Sequence, residues 1–293
     1  MQEPRPRDSI PESKHSIMAD IELACHTSAW GDDGFINALA DIEKAGFKGI
    51  ETTTGVVEQF EDRVDVFNEI LVQHHMQLVA ITAGGAMWPG MSLEEEVERS
   101  LNIVRFLKSA NAKVLILMPP RPNPDQPLED EADLIPAATA YGEIARRTEE
   151  HGILACLHPD INSLISDQKM LEKFLEHSDA QAMRLCVDVG FLHQAEIPMA
   201  KFIKENKKRI GAVHLRDIKP ATGKKKKGED SKWQTVELGK GNLELEDFVD
   251  TLLAAEYSGW ATVELEKGIG AKTLALQALH SHNYAAQTLD LVL

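Results

Sequence analysis

Eight short apolar runs, each followed by a longer segment of mixed polarity, constrain this chain more than any other feature. They are IELACHT (21 to 27), GIETTT (49 to 54), LVAITA (78 to 83), KVLILMP (113 to 119), ILACLHP (153 to 159), RLCVDVG (184 to 190), GAVHLRD (211 to 217) and ATVELE (261 to 266). Runs of this length, rich in β-branched residues, read as strands. The segments between them carry helical marks, such as the i, i+3, i+6 spacing of Leu101, Val104 and Leu107 and the helix-ending Glu-Lys-Ala-Gly at 43 to 46. Strands alternating with helices pair in parallel through crossovers. Eight such units over about 250 residues match a closed barrel, whereas a doubly wound open sheet usually has fewer strands. The expectation is an α/β fold, a single-domain (β/α)8 TIM barrel over residues 20–293, preceded by a polar tail over 1–19. Two connections, Pro119 to Asp133 and Asp217 to Asn242, exceed what closure needs, and long βα loops are where barrels keep specificity.

Composition narrows the partners. With 293 residues, 43% of them hydrophobic, the chain can bury one large core. A formal net charge of −16 leaves no basic excess to displace counterions, so nucleic acid is excluded as a partner. The one basic cluster, Lys224 to Lys227, runs into Gly228, Glu229 and Asp230 and reads as a solvated loop. No apolar run approaches a membrane span, and the opening MQEPRPRDSIPESKHS has no apolar stretch like that of a signal peptide, so a cytoplasmic location without membrane partners is expected. Cys25, Cys156 and Cys186 lie in apolar runs without CxxC spacing, as reduced core residues do. No glycine fingerprint points to a nicotinamide or flavin.

In a TIM barrel the chemistry gathers at the C-terminal ends of the strands. Here the later strands end in metal-binding residue types: His158 and Asp160, Asp188, His214 and Asp217, then Glu264 and Glu266. A lone polar residue at the end of an apolar run is costly to bury. Four of them around one cation remove that cost, and His158, Asp188, His214 and Glu264 are the candidate ligands. Two imidazoles and two carboxylates suit Mn²⁺, Co²⁺, Fe²⁺ or Zn²⁺ and, less well, Mg²⁺.

These residues, with several motifs, resemble the xylose-isomerase-like TIM barrels, a superfamily of sugar phosphate isomerases and epimerases that includes inosose dehydratases and tagatose epimerases. VHLRD at 213 to 217, VELGKGNLELEDFV at 236 to 249 and YSGWATVELE at 257 to 266 carry the resemblance, with TSAWGD at 27 to 32 and GFKGIETT at 46 to 53 near the front. The resemblance places the four metal ligands on His158, Asp188, His214 and Glu264. It also marks two departures. His158-Pro-Asp160 stands where most members have Glu-x-His, which is closer to the inosose-dehydratase-like branch, and Phe191 replaces a substrate-binding His, with His193 two places later.

By the same resemblance, the expected activity is isomerisation or epimerisation of a sugar or keto-sugar through an enediolate. The alternative is loss of water from a keto-cyclitol such as inosose; a further alternative, of another class, is a non-catalytic sugar-binding barrel. Glu264, Glu51 and Glu266 are the acid/base candidates. His26, Trp30, Asp160, His193 and Arg216 are the substrate-contact candidates. His26 and Trp30 would wall the pocket, and AGGAMWPG, with Gly84, Gly85 and Trp88, resembles a pocket loop. Glu266 and Arg216 lie two residues beyond Glu264 and His214 and so share their strand faces. A homo-oligomer is usual for the resembling family. An abasic-site nuclease role, also known in that superfamily, fits poorly with the acidic balance and the single group of ligands.

Overall fold

The computed structural model describes residues 21–83, 92–120, 131–221, 232–267 and 270–291, with the side chains of 131–133 left aside. The N-terminal tail, the loop of Gly84, Gly85 and Trp88, the lysine run at 224–227 and the middles of both long connections lie outside the described residues.

The chain runs through β1 (Ile21–His26), α1 (Phe35–Ala45), β2 (Gly49–Thr53), α2 (Thr54–Phe60), α3 (Val64–Gln73), β3 (Gln77–Ala83), α4 (Leu93–Ser109), β4 (Val114–Leu117), α5 (Glu131–Glu149) and β5 (Leu154–Leu157). It continues through α6 (Gln168–His177), β6 (Arg184–Asp188), α7 (Val189–Gln194), α8 (Met199–Asn206), β7 (Ile210–Leu215), β8 (Asp217–Pro220), β9 (Trp233–Val236), α9 (Leu245–Ala254), β10 (Gly259–Val263) and α10 (Leu274–Gln287). Strands β1 to β7 and β10 close a parallel barrel, with β10 lying between β7 and β1. The eight expected strands are these eight.

Local chemistry explains the outer layer. In α1 the buried residues are Phe35, Ala38, Leu39, Ile42 and Ala45, one helical face. The helix stops where Gly46 takes φ 107°, a left-handed conformation that glycine adopts without strain. Ser92 and Glu95 form a reciprocal capping box that starts α4.

Alternation along the strands then separates two surfaces. Cys25, Ile50, Leu115, Leu157, Leu185, Val213 and Val263 pack outward in the main core with the helices. Ala24, Ala80, Ile116, Cys156, Cys186 and Ala212 form a separate inner cluster inside the barrel. All three cysteines are free and buried. Trp260 fills the barrel at the start of β10, and a Cβ on Gly49 would meet its ring at 2.5 Å, so only glycine fits there. Two residues further along the same strands the inner face turns polar, with His26, Glu51, Thr82, His158, Asp188 and His214.

The seventh strand differs from expectation. The run GAVHLRD does not continue as one strand to 217: β7 stops at Leu215, and Asp217 begins an antiparallel hairpin of β8 and β9. The reason is Asp217 itself. Its Oδ2 accepts the backbone N–H groups of Gly239 and Gly241, and its Oδ1 accepts that of Leu243. The buried carboxylate thus clasps the Gly-Lys-Gly turn, where a Cβ on Gly241 would collide with it at 2.0 Å. Asp217, read from sequence among the metal-binding types, is a fastening for this turn.

Candidate metal centre

The strand tips are held in register before any side chain acts. His158 N–H donates to the Leu117 carbonyl at 3.0 Å and Glu264 N–H to the Leu215 carbonyl at 2.9 Å, extending the ladder past the regular strands. Asp188 pairs with His214 across β6 and β7.

On this frame His158, Asp188, His214 and Glu264 converge, with their ligand atoms all within 4.8 Å of one another. His158, Asp188 and His214 are almost wholly buried, while the Glu264 side chain keeps 21% exposure. The spacings are short: 3.3 Å from His158 Nε2 to Asp188 Oδ2 and 2.9 Å from His214 Nδ1 to Glu264 Oε1. Yet both ring nitrogens of His158, Asp188 Oδ2 and His214 Nδ1 are buried without a properly directed hydrogen bond. Buried polar atoms are rarely left so, since each costs about 1–3 kcal/mol. Donor atoms that crowd together as close charge contacts with poorly directed hydrogen bonds fit a shared cation, so the residues present suit a metal.

Behind His214 sits Glu51, fully buried. Its Oε2 lies 2.9 Å from His214 Nε2, its Oε1 lies 3.3 Å from His26 Nε2, and Thr82 Oγ1 donates to Oε1. Burial alone would raise the Glu51 carboxyl pKa, but the His214 and His26 imidazoles outweigh it and hold the group well below the usual range. The ionised carboxylate accepts, so a His214 proton sits on Nε2, while Nδ1 faces Glu264. His26 Nδ1 accepts from the Ser28 N–H at 3.0 Å, which likewise puts its proton on Nε2, toward Glu51.

Arg216 continues the inward face of β7 and bridges two candidate ligands. Its Nε is 2.9 Å from Asp188 Oδ2, and its Nη2 contacts Glu264 Oε2. Burial opposes ionisation of Asp188 and Glu264, but Arg216 more than compensates, so both carboxyls titrate below their ordinary values. His214 shifts up: burial disfavours its charged form, but Cys186, Glu51 and Glu264 outweigh that. The Arg216 stem passes so close to the start of α7 that a Cβ on Gly190 would meet it at 2.6 Å.

A cavity of about 210 Å³ opens over the cluster, lined by His158, Asp160, Asp188, Phe191, Arg216, Trp233 and Glu266 among others. Of the other sequence candidates, Asp160 and Glu266 line it directly; Asp160 Oδ1 also accepts the Asn162 N–H, and Glu266 Oε2 that of Thr235. His193 is exposed and packs edge-on against Trp233, with ring centroids 4.9 Å apart. Trp30 turns outward, its indole N–H donating to Asp41 of α1 at 2.9 Å, and it is absent from the cavity lining. Thr82 and Trp233 went unread in the sequence. Thr82 could have been found by its place, two residues past Ala80, but Trp233 follows a lysine run and carries no strand-end signal. Larger concavities of about 390 and 1010 Å³ lie on the helical layer, beside α4 and between α8 and α9, away from the strand ends.

A family model described as xylose isomerase-like TIM barrel matches residues 39–288. An inosose dehydratase from Mesomycoplasma hyopneumoniae (strain 7448) is 22% identical over 254 residues, covering 81% of this chain and 83% of that protein. Among solved structures, D-psicose 3-epimerase with D-tagatose from Clostridium cellulolyticum H10 aligns with a TM-score of 0.74 at 13% identity, over 92% of this chain and 99% of that one. The IOLI protein with a binding zinc atom aligns with a TM-score of 0.72 at 16% identity, over 92% and 98%. No helix among the described residues is long and apolar enough to cross a membrane.

Proposed function

The chain belongs to the xylose isomerase-like TIM barrel family, and from that premise we propose that it is an enzyme whose His158, Asp188, His214 and Glu264 hold one divalent cation for isomerising or epimerising a small keto-sugar. The observation that carries this reading is the convergence of four donor side chains at the barrel mouth, several of whose buried atoms lack a directed hydrogen bond. The zinc named for one structural relative and the ketose named for another support it. Mn²⁺, Co²⁺, Zn²⁺ and Fe²⁺ suit the mixed donors, Mg²⁺ less well.

When bound, such a cation polarises a carbonyl and its neighbouring hydroxyl and lowers the cost of charge on an enediolate. The remaining work falls to side chains. Glu264 is the candidate ligand whose side chain keeps some exposure, 21%, and we assign it removal of the proton α to the carbonyl. Arg216 keeps Glu264 ionised and offers a donor to a substrate oxygen. Glu51, enclosed by His26, His214 and Thr82, has no exposed oxygen, so we give it the orienting of His214 in place of direct acid/base chemistry. Asp160 and Glu266 line the cleft, and we assign them the return of the proton. A cavity of about 210 Å³ suits a compact polyol.

A second reading, loss of water from a keto-cyclitol, is favoured by His158. An imidazole there leaves the β5 side without a ligand carboxylate for the second proton transfer of a two-base epimerisation, and relatives named inosose dehydratase cover most of the chain. In that case Asp160 or Glu266 protonates the departing hydroxyl.

The test is incubation of the metal-loaded protein with ketohexoses and keto-cyclitols in D₂O, followed by NMR. Deuterium entering at the α carbon with a new ketose or aldose supports the first reading, and loss of water with a new enol or diketone signal supports the second. No exchange with any of them, in protein that holds its metal, contradicts the enzymatic reading and leaves a sugar-binding barrel.

A further inference from the structure

Cys186 lies two residues before Asp188 on β6, so its thiol points to the same inner face, one step deeper into the barrel. It forms a second donor set with His158 and His214, again with ligand atoms within 4.8 Å of one another, and all three residues are buried. The thiol does not stand alone in this. His158, 2% exposed, has no hydrogen-bond partner on either ring nitrogen, and His214 has none on Nδ1.

The two donor sets differ in chemistry. Toward the cleft, Asp188 and Glu264 give oxygen ligation that suits harder ions such as Mn²⁺ and Mg²⁺. Deeper in, one sulfur and two imidazoles suit zinc, cobalt and cadmium. Usual zinc–nitrogen and zinc–sulfur lengths set tetrahedral donors about 3.5 Å apart, so the deeper set can close on an ion with shifts of roughly an ångström. Both sets need His158 and His214, so one ion excludes the other.

We propose that the barrel contains a second, deeper metal position, formed by His158, Cys186 and His214, that captures thiophilic ions in competition with the mouth position. The inference rests on the metal-centre reading for its two histidines and adds Cys186 as the residue that decides which ion sits where. Entry of the ion displaces the thiol proton to solvent, a sulfur–metal bond forms as the S–H bond breaks, and no electrons change hands. An ion held there is drawn away from Glu264 and the cleft, so thiophilic ions bind yet displace the ion that serves the substrate.

The experiment is titration of chelator-treated protein with Co²⁺ and, separately, Mn²⁺, followed by absorption spectroscopy for cobalt and electron paramagnetic resonance for manganese. Wild type is expected to show a near-ultraviolet sulfur-to-cobalt charge-transfer band that saturates at one ion per chain. Cys186→Ser should lose that band but still bind Mn²⁺, and Cys156→Ser, altering the neighbouring thiol, should keep it. Cobalt bound to wild type with visible ligand-field bands but no charge-transfer band overturns the proposal and leaves the mouth site intact, a result that requires no variant to fold. A band that survives in Cys186→Ser also overturns it. Binding of neither ion overturns both this inference and the metal-centre reading.

Discussion

The polar ring at the barrel mouth has two halves that differ in how their buried atoms are satisfied. On β1 to β3, His26, Glu51 and Thr82 complete one another: His26 takes the Ser28 N–H, and Glu51 collects contacts from His26, Thr82 and His214. On β5, β6 and β7, with Glu264 just past β10, the atoms are as close, but His158 Nδ1 and Nε2, Asp188 Oδ2 and His214 Nδ1 lack hydrogen-bond partners. His214 joins the halves, Nε2 on one side and Nδ1 on the other. Similar residue types at the same height in the barrel thus serve two ends. The first half is a hydrogen-bond network that orients His214, and the second is a donor set that, on the reading proposed above, a cation completes.

The largest expected effect sharpens this contrast. A divalent ion at a thousand times its dissociation constant should stabilise the folded protein by about 4 kcal/mol, read as a rise in unfolding midpoint over chelator-treated protein. Glu264→Gln should lose most of that rise. An equal rise in wild type and variant would break the contrast.

Next in size is Glu51→Gln, which should weaken metal binding roughly 10–100-fold by loosening His214, although Glu51 touches no ion; titration calorimetry checks it. The same variant carries a pH signature. Glu51 is held below the ordinary carboxylate value of 4.5 in the folded state, so it contributes stability above that pH and loses it as pH falls below. Metal-free wild type should therefore lose stability more steeply than Glu51→Gln on acidification below about pH 4.5. Unchanged metal affinity in the variant would reduce the first half to packing. Smallest is Thr82→Val, which removes one donor to Glu51: about 1 kcal/mol of stability, with the metal-dependent rise in midpoint retained.

Much of this was legible in the sequence. Strand number followed from apolar runs, because a parallel barrel buries its strands on both faces and leaves an unbroken apolar signature. The gathering of His158, Asp188, His214 and Glu264 at one place was legible because each ends such a run. What stayed hidden depends on contacts between distant segments. Asp217 reads as one more acidic strand end, and only its three backbone N–H partners, 22 to 26 residues on, reveal a clasp that ends β7 and starts a hairpin. The hairpin strands themselves, Asp-Ile-Lys-Pro and Trp-Gln-Thr-Val, are too polar and short to announce themselves. Glu51 looks like a free acid in sequence, and its enclosure by three strands appears only once the barrel closes. Cys186 was read as a core thiol, and so it is. Its nearness to the His158 and His214 imidazoles is a property of the layer above it.

The central claim, that the second half of the ring is a cation site, meets its most direct test in elemental analysis of purified protein, reconstituted with Mn²⁺ and then desalted, for wild type beside His214→Ala and Asp188→Asn. One ion per chain in wild type and none in either folded variant is the predicted result. Wild type that retains no metal after reconstitution, or variants that hold as much as wild type, would contradict it.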